Sequence, residues 1–291
     1  MPVSKKPRRK SARKPSPLPD RRAMESVLAE ISGQRDDGAI ARAQDVIYDA
    51  WEATTPRARI ALARKALAIS PLCADAFNLL AEEAKSPTEA RELYTKALEA
   101  AELALGPEAF EEYAGHFWGF LETRPYMRAK AGLALTLLTL GEMDAAINHY
   151  REMLTLNPND NQGIRYGLAA CFLRKRDDAA LKELLATYPN EASIYWAYTR
   201  ALIAFREGGA DDAQAAALAK EAWAENEHVP AILAGTKRPV LSSADYLTVG
   251  GPEEASSYCA EFGAAWHTTP SAVKWLTRIT AGLARTRPAI Q

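Results

Sequence analysis

An internal repeat of about 34 residues constrains the fold of this 291-residue chain more than any other feature. Three pairs of apolar residues coincide when the segment from residue 127 is shifted by 35 positions: Leu133 with Leu168, Ala134 with Ala169, and Leu137 with Phe172. Their three- and four-residue spacing places them on one face of a helix. Each unit leaves an apolar side uncovered, so neighbouring units must stack. The sequence therefore predicts an all-α fold.

These spacings are typical of the tetratricopeptide repeat, in which two helices cross at small residues and a proline follows the second helix. Ala134 and Ala146 stand at the predicted crossing, and Pro158 follows the second helix. We therefore predict a tetratricopeptide-like helical-hairpin solenoid over residues 23–226. A disordered basic tail is predicted over residues 1–22, and a C-terminal helical cap over residues 227–291.

Prolines and glycines predict where several helices begin and end. Gly106 and Pro107 predict a helix start, since proline is favoured in the first helical turn. Pro125 predicts that this helix ends near Arg124, because a residue before proline is biased away from helical geometry. Between these points, the spacing of four aromatic residues predicts one aromatic helix face: Phe110, Tyr113, Phe117 and Phe120.

The stretch NPNDNQGIRYGLAACF, residues 157–172, has two interpretations. As a joint between repeats, it stops one helix at Pro158, and Asp160 or Asn161 caps the next through its free backbone amides. As a ligand site, the helix N-terminus attracts an anion, and Arg165 strengthens that attraction. We favour the joint.

Charge is divided unevenly along the chain. Residues 1–22 contain nine Lys and Arg against one acid, which leaves 27 basic and 36 acidic residues from position 23 onward. Such a tail favours contact with nucleic acid, a ribosome or another anionic surface, although it has no aromatic residue to stack on bases. The alternative is a solubilising extension without a ligand. The candidate contact residues are Lys5, Lys6, Arg8, Arg9, Lys10, Arg13 and Lys14.

The patterns of cysteine, histidine and glycine residues do not indicate a disulfide framework, a metal site or a phosphate-binding loop. Three widely spaced cysteines suggest neither a disulfide framework nor a zinc site, and favour a reducing, cytoplasmic location. The four histidines are scattered, and the glycine pair at 250–251 lacks the rest of a phosphate-binding motif. No apolar segment is long enough to span a membrane. We expect no catalytic residue, metal or cofactor, and therefore no enzyme activity.

The motif RPYMR, followed by HYREMLTLNPNDNQGIRY, resembles bacterial tetratricopeptide-repeat proteins related to the suppressor-of-tumorigenicity-seven family. The resemblance extends over roughly residues 106–276. It implies an all-helical repeat protein with no established catalytic activity. It also implies a difference, because animal members of that family carry membrane-spanning segments that this chain is expected to lack.

Six residues are candidates for binding a partner: Arg128, Lys130, Arg165, Tyr166, Tyr198 and Arg200. Lys130 and Arg165 replace a large apolar residue of the commonest repeat pattern, so their side chains are predicted to point along a groove. Arginine and tyrosine are favoured interface anchors, and the resulting cationic surface would suit an acidic peptide. The alternative is salt bridging to the chain's own acids, such as Glu142, Asp144 and Glu152. The sequence thus favours a non-catalytic adaptor, with a nucleic-acid- or ribosome-associated protein as the alternative; the partner is unidentified.

Overall fold

A computed structural model describes residues 22–25, 27, 38–240 and 248–284. This part of the chain is built from helices and their connections, with no strand among the described residues, so the predicted all-α fold is confirmed. The predicted basic tail lies outside the described residues, apart from Arg22.

The helices form two compact units that divide between Thr136 and Leu137. Besides the helical residues 22–25 and 27, five described α-helices belong wholly or mainly to the first unit: α1 (Ala39–Glu52), α2 (Pro56–Ile69), α3 (Ala74–Glu82), α4 (Pro87–Glu112) and α5 (Arg124–Thr139). Helix α1 packs on α2, and α3 packs on α4. Thr55 and Ser86 cap α2 and α4, and each is followed by a proline in the first helical turn. The two helix pairs bury a core that includes Ile47 and Leu79.

The region after Gly106 differs from the sequence prediction. Gly106 has positive φ and interrupts α4, so that Pro107 does begin a new helical stretch. This stretch ends at Glu112 rather than near Arg124, and a short 3-10 helix (Phe117–Gly119) follows. Pro125 instead occupies the first turn of α5, where its missing N–H is not needed.

The predicted aromatic residues nevertheless contact one another. The ring centroids of Phe110 and Phe117 are 5.2 Å apart, and those of Tyr113 and Phe120 are 3.9 Å apart in a stacked arrangement. The sequence pattern identified the cluster correctly but assigned it to a single helix face, whereas a turn brings the rings together.

Within its described residues, the second unit contains eight α-helices: α6 (Met143–Leu156), α7 (Ile164–Lys175), α8 (Asp178–Thr187), α9 (Ile194–Gly208), α10 (Ala213–Glu225), α11 (Val229–Leu233), α12 (Pro252–His267) and α13 (Ala272–Ala284). Successive helices from α6 to α8 pack on one another, and α9 packs on α10. Helix α12 packs on α7 and α9, and α13 packs on α10. The C-terminal helices therefore cover part of the preceding hairpins.

Aromatic residues form much of the core that α12 brings to the second unit. Tyr258, Phe262 and Trp266 lie at four-residue spacing on α12 and are buried. The Trp266 indole N–H donates a hydrogen bond of 2.8 Å to the Tyr258 hydroxyl, which satisfies the buried indole. Tyr195 of α9 packs edge-on against Phe262, with ring centroids 5.0 Å apart.

Candidate functional site

The loop before α7 is a structural joint, as the sequence favoured. Asp160 adopts left-handed geometry with φ 46°, and its carboxylate accepts hydrogen bonds from the backbone N–H groups of Ile164 at 2.7 Å and Arg165 at 2.9 Å. Gly163, which precedes α7, also has positive φ, so the loop turns sharply onto the helix. The anion at this helix N-terminus is the chain's own carboxylate, which corrects the alternative of an external anion there.

Arg165 is held by a second carboxylate and by two aromatic rings. One guanidinium nitrogen lies 2.9 Å from an Asp160 oxygen, and the other pairs with Glu191. The guanidinium carbon lies 4.5 Å from the ring centroid of Tyr166 and 5.4 Å from that of Tyr188. We call these five residues, Asp160, Arg165, Tyr166, Tyr188 and Glu191, the Arg165 cluster.

The Arg165 cluster is partly accessible from solvent. Asp160 is almost fully buried, whereas the side chains of Arg165 and Glu191 each keep 16% of their exposure. Tyr166 and Tyr188 are half-buried. Burial opposes ionisation of Glu191, but hydrogen bonding from the Ser193 N–H and the charge of Arg165 outweigh it, so the pKa of Glu191 lies below its ordinary value.

Two other candidates in the second unit have different surroundings. Tyr198 is fully buried, and its hydroxyl donates a 2.6 Å hydrogen bond to the carbonyl of Asn226. The prediction that it lines an accessible surface is therefore wrong for this structure, because packing against Tyr258 of α12 covers it. Arg200 is half-buried and donates to the carbonyl of Pro189 at 3.1 Å.

In the first unit, Arg128 is paired with a fully buried carboxylate. Its Nε donates to Asp75 at 2.9 Å, and a terminal nitrogen contacts the other Asp75 oxygen, which makes the pair bidentate. Asp75 also accepts hydrogen bonds from Gln44 at 3.1 Å and Asn78 at 3.0 Å. The ring of Trp51 lies 5.4 Å from the Arg128 guanidinium.

A second carboxylate reaches this site from the described residues nearest the N-terminus. Glu25 accepts a 2.6 Å hydrogen bond from the Tyr48 hydroxyl, and its other oxygen lies 3.6 Å from both Arg124 and Arg128. Burial, together with this hydrogen bond to a carboxylate, raises the pKa of the Tyr48 phenol. We call Tyr48, Arg124 and Arg128 the Glu25 pocket.

Lys130 is not on a groove surface. It is 6% exposed. Its ammonium group donates a 3.1 Å hydrogen bond to the Tyr126 hydroxyl and lies 5.2 Å from the centroid of the Tyr126 ring. The prediction that the charged side chain of Lys130 points along a groove is therefore wrong. The long side chain has room to fold back within its own helix, since Tyr126 precedes it by one turn.

Two of the candidate arginines therefore do pair with the chain's own acids, although these acids are other than the three examples that the sequence suggested. Arg128 binds Asp75 and Glu25, and Arg165 binds Asp160 and Glu191. Sequence reasoning missed Glu25, Tyr48, Asp75 and Arg124. One available signal was the four-residue spacing of the two arginines in RPYMR, which places both on one face of α5.

The three cysteine thiols are held in their protonated form. Burial raises the pKa of Cys73 to about 12, of Cys171 to about 11 and of Cys259 to about 12, so all three thiols are protonated near neutral pH. Among the described residues, no group of three His, Cys, Asp or Glu side chains is placed to hold a metal ion. A helix both long and apolar enough to cross a bilayer is likewise not found in the described part of the chain.

A family model described as "ST7 protein" matches residues 33–288 of this chain. Two relatives illustrate the similarity. "Protein ST7 homolog" of Drosophila melanogaster is 27% identical over 269 residues, which covers 84% of this chain and 50% of the fly protein. "Suppressor of tumorigenicity 7 protein-like" of Rattus norvegicus is 28% identical over 237 residues, covering 73% and 42%. The chain thus spans about half the length of these relatives or less.

Among solved structures, the crystal structure of BtubC (BKLC) from P. vanneervenii aligns with 88% of this chain and 96% of its own. The TM-score is 0.42 and the sequence identity 18%, and a likeness of this size supports no argument about function.

Proposed function

This chain belongs to the ST7 protein family, and from that premise we propose that it is a non-catalytic scaffold that binds a segment of a partner protein. Two kinds of observation support the proposal. The helical-repeat architecture presents many side chains on stacked helices, which suits extended contact surfaces. Arg128 and Arg165 are held in fixed ion pairs, so their side chains are already ordered before any partner binds, which supports a role in contact.

The observation that carries the proposal is the stacking of Arg165 against two half-buried tyrosine rings. Two carboxylates fix the guanidinium, and the Tyr188 hydroxyl donates a 3.0 Å hydrogen bond to the carbonyl of Pro158. A rigid arginine–tyrosine surface loses little side-chain entropy on binding, and these residue types dominate interface energetics. An acidic partner side chain would replace Glu191 on the outer edge of Arg165.

The test is co-purification with the full-length chain, compared between wild type and Arg165→Gln after nuclease treatment. We expect a partner that binds wild type to be lost from Arg165→Gln, because the glutamine neither stacks between the rings nor carries charge. Glu191→Gln is expected to retain an acidic partner or bind it more strongly, since the competing carboxylate is neutralised.

Lys182→Gln is the matched control, because Lys182 forms an exposed ion pair with Glu207 in the same unit. Circular dichroism and urea unfolding show whether each variant stays folded. A partner retained equally by folded wild-type, Arg165→Gln and Lys182→Gln chains would contradict the assignment of the Arg165 cluster.

A second candidate function follows from the charge of residues 1–22, which carry nine Lys and Arg against one acid. In this proposal the tail tethers the protein to nucleic acid or the ribosome, and the acidic remainder makes protein contacts. RNA binding by the full-length chain and by a chain of residues 23–291 is compared over a range of salt concentrations. The tail should contribute affinity that falls steeply with salt; equal binding by both chains would exclude this role.

Three further features stay part of the proposal: a bacterial type of family member, repeats of tetratricopeptide type, and a cytoplasmic location. The resemblance of the RPYMR and HYREMLTLNPNDNQGIRY motifs supports the bacterial type, the 34- and 35-residue spacings support the repeat type, and the three free thiols support the location. The division into a tail, a repeat region to residue 226 and a C-terminal cap also stays a proposal, supported by the packing of α12 on α7 and α9.

A further inference from the structure

Residues 22–25 and 27 contact the rest of the first unit through polar groups of Arg22 and Glu25. Among their described side chains Glu25 alone is buried, whereas Met24 is 48% exposed and Val27 is 55% exposed. Arg22 pairs with Asp49, but both side chains are well exposed, and such pairs contribute little. Arg22 also donates a 2.9 Å hydrogen bond to the carbonyl of Asp45, and its guanidinium lies 5.5 Å from the centroid of the Tyr48 ring. The carboxylate of Glu25 is the contact of these residues that lies in a buried site.

The Glu25 pocket is suited to a carboxylate. Arg124 and Arg128 bring two positive charges, and the buried Asp75 balances one of them. One positive charge remains for the incoming carboxylate, and the Tyr48 hydroxyl supplies a directed donor at 2.6 Å. Without an occupant, a partly buried guanidinium and a phenol donor would lose their partner, which is unfavourable.

The pocket is also held in place independently of its occupant. Arg124 donates from Nε to the carbonyl of Trp118 at 3.1 Å, and its guanidinium lies 5.4 Å from the Trp118 ring. Arg128 is fixed by the bidentate pair with Asp75. The Tyr48 ring packs edge-on against Trp51, with centroids 5.6 Å apart. A carboxylate that replaced Glu25 would therefore meet hydrogen-bond donors that are already in position.

We infer that the Glu25 pocket is a binding site for an acidic side chain of a partner protein, and that Glu25 is an internal competitor for this site. The ligand class is a monoanionic carboxylate on a peptide segment, because one unbalanced charge is available and the present occupant is itself a glutamate on a short segment. This inference rests on the proposed function, in that the chain binds a partner segment, but it uses a surface in the first unit rather than the Arg165 cluster.

The experiment adds the chain's own segment in trans. The probe is a fluorescently labelled peptide of residues 21–29, acetylated and amidated, whose one carboxylate is Glu25. Fluorescence anisotropy measures its affinity for the full-length wild-type chain and for the full-length Glu25→Ala chain. We expect the Glu25→Ala chain to bind at least about tenfold more tightly, because a tethered competitor acts at an effective concentration near the millimolar range.

Two controls test the chemistry of the contact. A peptide with Glu25→Gln should bind the Glu25→Ala chain about tenfold more weakly, because hydrogen bonds to a charged acceptor are the stronger ones. Adding Tyr48→Phe to the Glu25→Ala chain should weaken binding severalfold while keeping the ring contact with Trp51. Should Glu25→Ala unfold, a Glu25→Gln chain, which keeps the side-chain volume, is measured in the same way.

Equal affinity of the wild-type and Glu25-substituted chains for the peptide would overturn the inference. So would equal affinity of the Glu and Gln peptides. Failure here is distinguishable from failure of the proposed function, because loss of a co-purified partner from Arg165→Gln depends on the second unit alone. The Arg165→Gln chain should bind the peptide as wild type does.

Discussion

Asp75 and Asp160 show how single carboxylates organise the charged clusters of this protein. Each is almost fully buried, each holds an arginine, and each accepts further hydrogen bonds from neighbouring N–H groups. A buried charge is tolerated when its hydrogen-bonding capacity is filled in this way. The arginines that resemble free binding groups in the sequence are therefore structural groups as well.

Substitution of Asp160 should destabilise the second unit. Asp160→Ala removes the cap of α7, one partner of Arg165 and a residue type that tolerates positive φ, so we expect the free energy of unfolding to fall by about 2–4 kcal/mol. Asp160→Asn keeps a capping oxygen and tolerates the backbone geometry, so its loss should be about half as large. Urea unfolding monitored by circular dichroism measures both; equal stability of Asp160→Ala and wild type would contradict the role.

Glu191 should make stability depend on pH. Its pKa is lower in the folded chain than in the unfolded chain, so its contribution is present above the unfolded-state pKa and is lost as pH falls through the folded-state value. Between about pH 5 and pH 3, the wild-type chain should therefore lose more stability than Glu191→Gln. The free energy of unfolding is measured for both chains at several pH values in that range. An equal loss in the two chains would show that the ion pair of Glu191 with Arg165 does not stabilise the fold.

At the scale of the helix, close contacts depend on small residues. Gly132 of α5 lies against the ring of Tyr94 in α4, and a Cβ atom built at this position would lie 2.3 Å from two ring carbons. Glycine usually weakens a helix interior, so its presence here is explained by the close approach of the ring. Ala134 and Ala146, the small residues that the sequence placed at a helix crossing, are both fully buried; the crossing itself stays a prediction.

Gly132→Ala and Gly282→Ala should have opposite effects. The first forces the Tyr94 ring to move and should lower the free energy of unfolding by about 1–3 kcal/mol. The second adds a methyl group to α13. Outside the helix's own backbone, no atom of the described residues lies within 4 Å of the new Cβ, so the substitution should raise the free energy of unfolding by about 0.5–1 kcal/mol through helix propensity. Thermal and urea unfolding provide the comparison, and a stabilising Gly132→Ala would show that the ring adjusts without strain.

At the scale of the whole molecule, each unit has its own buried core. Leu79 in the first unit and Leu181 in the second are completely buried. Regions with separate cores open as separate cooperative units when the interactions between them are weaker than those within them. The charged clusters follow the same division, with the Glu25 pocket in the first unit and the Arg165 cluster in the second.

Leu79→Ala and Leu181→Ala test this division. Each substitution should lower the free energy of unfolding of its own unit by about 2–5 kcal/mol, because buried apolar surface is lost and a cavity is left. Hydrogen exchange followed by mass spectrometry should show faster amide exchange in the unit that carries the substitution and little change in the other. Equal acceleration throughout the described helices in both variants would instead indicate one cooperative unit.

The sequence by itself determined the helical architecture and the joint at Asp160. Helix periodicity, small residues at crossings and turn-forming residues are local signals, and they are encoded over a few neighbouring positions. The same local signals misplaced one helix end, because Pro125 suits the start of α5 as well as the end of a preceding helix.

Only the tertiary structure decided which charges meet. Arg128 pairs with Asp75, 53 positions away, and Arg165 pairs with Glu191, 26 positions away. The stacking of hairpins brings these residues together, and it also buries Tyr198 beneath α12. Periodicity indicates which face of a helix is apolar, but the partner of a polar side chain depends on how distant helices pack, and no local pattern contains that information.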